Sequence, residues 1–150
     1  MDSLKKIFNF LPKFVFIKLK DTFLKATIKS LKHDLVKLRT RLRTKRMFKK
    51  YIRDNQTIPK NLHFGCGQTL IPNWLNIDLM NSDIDVDLSS DGLCLFEDNY
   101  FNTISSQHVI EHLDMHEELP MLFDHLYRIL CVGGSLWLST PSIEKIAKAY

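Results

Sequence analysis

The sequence predicts an α/β fold: a mostly parallel sheet covered on both faces by helices and entered through a basic helical arm. Three observations carry this. Strand-like and helix-like segments alternate from residue 61 onward, the pattern of βα units rather than of hairpins. A leucine repeat without glycine occupies the stretch before them. The charge also splits between the two: residues 1–60 hold 18 of the 21 Lys and Arg but 4 of the 17 Asp and Glu, and the remainder is acidic. The formal net charge of +4 conceals that opposition. A chain of 150 residues, 45% hydrophobic and 25% charged, has globular composition and room for one domain plus an arm. Wholesale disorder and low complexity are excluded. The division falls at residues 1–56 for the arm and 57–150 for the domain, with Asn55–Lys60, polar and carrying Pro59, as the link.

In the arm, Leu24, Ile28, Leu31, Leu35, Leu38 and Leu42 are spaced 4, 3, 4, 3, 4. That heptad seam predicts a helix from about Asp21 to about Arg53, with Asp21-Thr22 as its cap, and a stripe for self-association over 24–42. Upstream, Phe8, Phe10, Phe14 and Phe16 alternate with Lys13, Lys18 and Lys20, a mixture suited to a membrane interface. Downstream, Arg39, Arg41, Arg43, Lys45, Arg46, Lys49 and Lys50 form a cationic run able to meet phosphates. Residues 1–50 therefore read as a packed or self-associating helix, as a peripheral contact with an anionic membrane, or as a nucleic-acid contact. The last has least support, because no aromatic stacking platform accompanies the charge.

No apolar run reaches the roughly 18–20 residues that span a bilayer. The Ile7–Ile17 stretch is interrupted by Pro12 and Lys13 and lacks a signal-peptide cleavage site. Cys66, Cys94 and Cys131 are odd in number and contain no C-x-x-C pair, which disfavours a disulfide framework or a zinc ribbon. The expectation is a cytoplasmic protein, peripheral at the inner face of the membrane where the arm engages lipid.

In the domain, Leu62–Phe64 is a strand running into Gly65-Cys66-Gly67. Leu75–Leu79 is a second strand, Ile84–Leu88 a third, and Asn102–Ile110 contains a fourth. Glu117–Leu130 has helical spacing through Leu119, Leu122, Phe123, Leu126, Tyr127 and Leu130, and Gly133-Gly134 is expected to stop it just past the C-cap. Ser135–Thr140 is a fifth strand, and Ile143–Tyr150 begins another helix.

Glycine directly after a strand lets a ligand approach the backbone. Gly65 and Gly67 offer this, although Leu70 stands where a dinucleotide fingerprint has its third glycine. Asp78, ending the second strand, can accept two hydrogen bonds from a ribose diol. Asp85 and Asp87 follow on the third strand, and no Lys or Arg lies between Asn61 and Tyr127. Carboxylates without cations repel a pyrophosphate and favour a nucleoside bearing a sulfonium, which points to S-adenosylmethionine over a nicotinamide dinucleotide. One spacing stands against the layout. Seven residues, Gln68–Trp74, separate Gly67 from the second strand, whereas a parallel crossover takes about 10–12 including its helix. On that ground alone the two strands would not be adjacent and parallel.

The pieces LHFGCG (62–67), NWLNIDL (73–79), DVDL (85–88), LFEDNYFNTISSQHVIEHL (95–113), LYRILCVGGSLWLSTPS (126–142) and IEKIAKAY (143–150) together resemble class I S-adenosylmethionine-dependent methyltransferases, in particular the bacterial methyltransferase type 11-like branch. The resemblance implies a Rossmann-like, doubly wound sheet in which a short connection precedes the second strand. It implies seven strands, five of which are accounted for up to Tyr150. It also implies S-adenosyl-L-methionine as cofactor, with Gly65 and Gly67 flanking its methionine part, Asp78 on the ribose hydroxyls, Asp87 near the adenine and His108 lining the pocket floor. Cys131-Val132 stands where the family has Lys-Pro. His108, and after it His112, are the candidates for a base where the methyl acceptor must lose a proton. The acceptor, whether small molecule, glycan or lipid, is not specified.

Two other readings stand beside the methyltransferase. One is a catalytically inactive Rossmann-like binding or scaffold module tethered by the basic helix. The other is a zinc hydrolase, since His108-Val109-Ile110-Glu111-His112 is literally H-x-x-E-H and His116 extends it. Placement disfavours the hydrolase, because His108 directly follows a β-rich segment and would sit at a strand end. No metal ligand is assigned.

Overall fold

The computed structural model describes residues 23–142. The Asp21-Thr22 cap, the phenylalanine–lysine stretch upstream and the helix expected over Ile143–Tyr150 lie outside the described residues. The chain divides into two compact units, Met1–Val36 and Lys37–Tyr150. Helix α1 spans Phe23–Asn55 and contributes residues to both. In the first unit, Leu31 and Leu35 of the heptad seam face solvent.

The Lys37–Tyr150 unit is an α/β structure around a five-stranded, all-parallel sheet. Its strands are β1 (Asn61–Phe64), β2 (Leu75–Asp78), β3 (Ile84–Asp85), β4 (Phe101–Gln107) and β5 (Leu130–Ser139), in the order β3-β2-β1-β4-β5. Helix α2 (Glu118–Ile129) precedes β5, and 3-10 segments cover Asp91–Leu95 and Ile110–His112. Leu62, Phe64, Leu75, Ile77, Ile84, Phe101 and Ile104 bury the strand side chains in one core. Leu122, Leu126 and Ile129, at helical spacing, bury one stripe of α2 against it. Each such residue contributes on the order of 1.5–3 kcal/mol by leaving water. Of the other expected positions, Leu119 is half-buried, Leu130 packs against the core from the start of β5, and Phe123 and Tyr127 are exposed.

The short return between β1 and β2 is made without a helix. Leu62 pairs with Leu75 and Phe64 with Ile77, in parallel register. A chain covers about 3.3 Å per residue when extended, so ten residues can retrace a four-residue strand if the return is tied down. Asn76 ties it. Its side-chain oxygen accepts from the Ile71 amide at 2.8 Å, and its Nδ2 donates to Ile71 O and Trp74 O at 3.1 Å each. The ring of His63, buried beside it on β1, donates Nδ1–H to the same oxygen at 3.2 Å. An Asn at this place substitutes for the missing helical hydrogen bonds, which is why the spacing argument against adjacent parallel strands fails.

The glycine pair after α2 acts differently from expectation. The helix ends at Ile129, with Leu130 extended as its C-cap, and β5 begins there at once. Gly133-Gly134 is not a helix terminator but part of an irregularity within β5. Phe101 pairs with Leu130 and Thr103 already pairs with Ser135, so residues 131–134 form the extra length. Gly133 takes φ +79°, and a Cβ on Gly134 would stand 2.8 Å from a Leu130 methyl and 3.0 Å from Asn102 O.

The contact division at Lys37 lies well before the boundary at residue 57 read from composition. The reason is a second stripe on α1. Thr40 and Thr44 are buried and donate their hydroxyls to Leu79 O and Asp85 O, both at 2.9 Å. Met47, Phe48 and Tyr51 pack against the core, and Phe48 meets Phe96 edge-on with ring centroids 5.7 Å apart. Leu38 and Leu42 point outward, Leu42 with 77% exposure. Among the described residues, no helix is long and apolar enough to cross a membrane.

Candidate functional site

In an open parallel sheet, ligands bind outside the carboxyl ends of the strands where the strand order reverses. In β3-β2-β1-β4-β5 the reversal lies between β1 and β4. The structure brings Gly65, Gly67, Ser106 and His108 to that place, and Asp78 to the end of the neighbouring strand.

Gly65 and Gly67 both have left-handed backbones, φ +64° and +54°. Their surroundings differ. A Cβ on Gly65 would fall 1.9 Å from Val109 Cγ2, so this glycine makes room for the chain that leaves β4. A Cβ on Gly67 would meet nothing within 4 Å, so this glycine faces open space. Its N–H donates to Asp78 Oδ2 at 2.7 Å, and the Leu79 N–H donates to Asp78 Oδ1 at 2.5 Å. Each carboxylate oxygen keeps acceptor capacity for a further donor. Asp78 thus fastens the glycine turn and can still receive hydroxyl groups.

Between the two glycines sits Cys66. Burial, then the negative charges of Asp78, Asp83 and Asp85, push its thiol up to about 11. It stays protonated at neutral pH and is no nucleophile. Beside Gly65, the Ser106 hydroxyl on β4 is buried, 3% exposed, and has no hydrogen-bond partner. The open space beside Gly67 and the spare acceptor capacity of Asp78 lie together at the ends of β1 and β2.

Asp87 is placed otherwise. It is 2% exposed and its carboxylate is committed within the protein. Oδ2 accepts from Arg41 Nε at 2.6 Å, and Oδ1 accepts from the Ser89 hydroxyl at 2.7 Å and the Ser89 amide at 3.0 Å. Burial opposes its ionisation, but the Ser89 and Arg41 hydrogen bonds outweigh that and hold the carboxyl below its ordinary 3.8. The Asp87 carboxylate, expected near an adenine, is thus taken up by Arg41 and Ser89.

His108 follows β4 immediately, as expected, with φ +57°. Its N–H donates to Ser139 O at 2.9 Å, which ties the ends of β4 and β5. Its ring is exposed (61%), with Nδ1 at 3.2 Å from Glu111 Oε1. His112 ends the 3-10 segment Ile110–His112, one turn on, and is exposed. The shared helical face that an H-x-x-E-H zinc site needs is not formed, because His108 lies outside that turn.

Sequence reasoning missed Ser106, whose isolation is a tertiary property, and Arg41, hidden in a basic run. It also missed a trio of potential metal ligands, Asp91, Cys94 and His125, whose donor atoms lie within 4.8 Å of one another. A gap of 31 residues between Cys94 and His125 leaves no motif to find. No protein-family model matches the chain, and neither does any curated protein or solved structure.

Proposed function

We propose that the Lys37–Tyr150 unit is an S-adenosylmethionine-dependent methyltransferase, its sheet the core of a Rossmann-like, doubly wound domain. The observation that carries this is the Gly67–Asp78 hydrogen bond, which joins the glycine turn after β1 to the end of β2 beside the point of strand reversal, in a stretch of chain (61–127) that contains no Lys or Arg. When bound, S-adenosylmethionine supplies a methyl group on a sulfonium, already activated for in-line displacement.

The chain's own residues do the rest. Asp78 receives the ribose hydroxyls on its remaining lone pairs, and Gly67 leaves the cofactor's path clear. Asp78, Asp83 and Asp85 favour the positive charge, and catalysis is then mainly positioning of the acceptor. With Nδ1–H donated to Glu111, His108 presents Nε2 as the basic atom for an acceptor that must lose a proton. His112 is the second candidate. The acceptor is a small molecule, a glycan or a lipid. Residues 1–50 serve attachment rather than chemistry, by contact with an anionic surface or by pairing through the 24–42 seam.

Calorimetric titration with S-adenosylhomocysteine tests the reading. Binding in the micromolar range is expected. Asp78→Ala should weaken it by about 1.5–3 kcal/mol, the value of a hydrogen bond to a charged group. Gly67→Val should abolish it. Undiminished binding by both variants would remove the pocket assignment, and no binding by the parent would remove the cofactor. Cofactor binding without transfer to any acceptor would favour the scaffold reading.

A further inference from the structure

On the side of the unit where the 3-10 segment Asp91–Leu95 meets α2, three side chains of metal-binding type converge. Leu93 is buried in the core and pins the segment. In a 3-10 helix, residues three apart eclipse one another. Asp91 and Cys94 therefore project together. Arg128 fastens α2 along the same segment: Nη2 donates to Leu93 O at 3.0 Å, and Nη1 donates to Phe96 O at 2.8 Å and Asp98 Oδ1 at 2.6 Å. His125, one turn before Arg128, is thereby held over the pair. Its Nε2 lies 3.9 Å from Cys94 Sγ and 3.5 Å from Asp91 Oδ1.

These separations can be set against a metal's requirements. A tetrahedral zinc with sulfur at about 2.3 Å and nitrogen or oxygen at about 2.0–2.1 Å spaces its ligand atoms about 3.3–3.6 Å apart. The nitrogen–oxygen distance already has that value, the sulfur–nitrogen distance exceeds it by a few tenths of an ångström, and the sulfur–oxygen separation, within 4.8 Å, is closed by turning the exposed Asp91 carboxylate. A thiolate, an imidazole and a carboxylate together select a borderline ion such as Zn2+ over Mg2+ or Ca2+, which take all-oxygen sets. Asp91 and Cys94 also line a cavity of about 460 Å3 shared with Arg41, Lys45 and Asp87, so water can reach a fourth position.

We propose that Asp91, Cys94 and His125 form a binding site for one divalent transition ion of zinc type, with water completing the tetrahedron. The ion cross-links the 3-10 segment to α2.

The test is a titration of the full chain with Co2+ alone, after chelation and under reducing conditions. One Co2+ per chain is expected, with a thiolate-to-cobalt charge-transfer band, strong tetrahedral visible bands, and loss of colour when Zn2+ is added. Cys94→Ser should remove the charge-transfer band. His125→Ala should weaken Zn2+ at least about a hundredfold, because outer-shell changes alone cost about 10–100-fold. Asp91→Asn should weaken it less, and His112→Ala should change nothing. The metal-free Cys94→Ser and Asp91→Asn variants should melt with the metal-free parent, since Asp91 (81% exposed) and Cys94 are at the surface. Cobalt bound without a charge-transfer band, a band that survives Cys94→Ser, or binding lost on His112→Ala would each overturn the site.

Discussion

Asp78 and Asp87 invite comparison, because both are acids at the carboxyl ends of neighbouring strands and the chain treats them oppositely. At Asp87 the fold supplies a cation: Arg41 from α1 closes on a buried carboxylate, and Ser89 fills its other oxygen. At Asp78 it supplies two backbone amides and, among the described residues, no ion-pair partner. The first acid is satisfied and structural. The second is oriented, keeps acceptor capacity, and adds to a negative field shared with Asp83 and Asp85.

The glycines beneath them repeat the contrast and give the largest expected effect. Gly65→Val drives a side chain into Val109 on a left-handed backbone and should cost about 3 kcal/mol or more in urea unfolding. Gly67→Val meets no atom and should cost only the left-handed strain of about 1–2 kcal/mol. Equal losses at the two sites would erase the distinction between a packing glycine and a ligand-facing one.

Next in size is the Arg41–Asp87 pair. Arg41→Ala leaves a buried carboxylate with only Ser89 and should cost about 1–2 kcal/mol, moderated because half of Arg41 is exposed. The pH dependence follows from Asp87's lowered carboxyl. Its contribution is fully present above 3.8 and is lost as pH falls through the lower folded value. Acid unfolding of Arg41→Ala should therefore begin at higher pH than in the parent, and Asp87→Asn should flatten that part of the curve. An unchanged acid limb in both would mean the pair contributes nothing.

Smaller effects belong to the outer face of α1, where Leu42, Lys45, Arg46, Lys49, Lys50 and Arg53 surround a shallow depression. Binding to acidic liposomes should be modest and should fall as salt rises, since exposed charges are screened within about 8–10 Å at physiological ionic strength. Lys49→Glu with Lys50→Glu should reduce it severalfold without altering Asp87's titration. Neutral liposomes binding equally well would end the electrostatic account. Smallest of all, Leu42→Lys should shift any monomer–dimer equilibrium measured by sedimentation toward monomer. Sedimentation unchanged by it would place the contact elsewhere.

The sequence by itself determined the order of elements, the charge opposition and the positions of Gly65, Gly67, Asp78 and His108 at strand ends. Those follow from local periodicity, turn residues and net charge, which are properties of short stretches. What only the tertiary structure decided depends on residues distant in the chain. Asn76 closes a return too short for a helix by hydrogen bonds that no spacing rule counts. Gly133-Gly134 became part of a strand irregularity because β4 offers pairing partners to Leu130 and Ser135 on either side of it. Arg41 left its basic run to neutralise Asp87, 46 residues away, because a buried carboxylate demands a partner wherever the fold can bring one. Ser106 has no such partner, and Asp91, Cys94 and His125 meet only where a 3-10 turn packs on a helix. Periodicity records which face of an element is apolar, but not which polar groups the packing brings together or leaves alone.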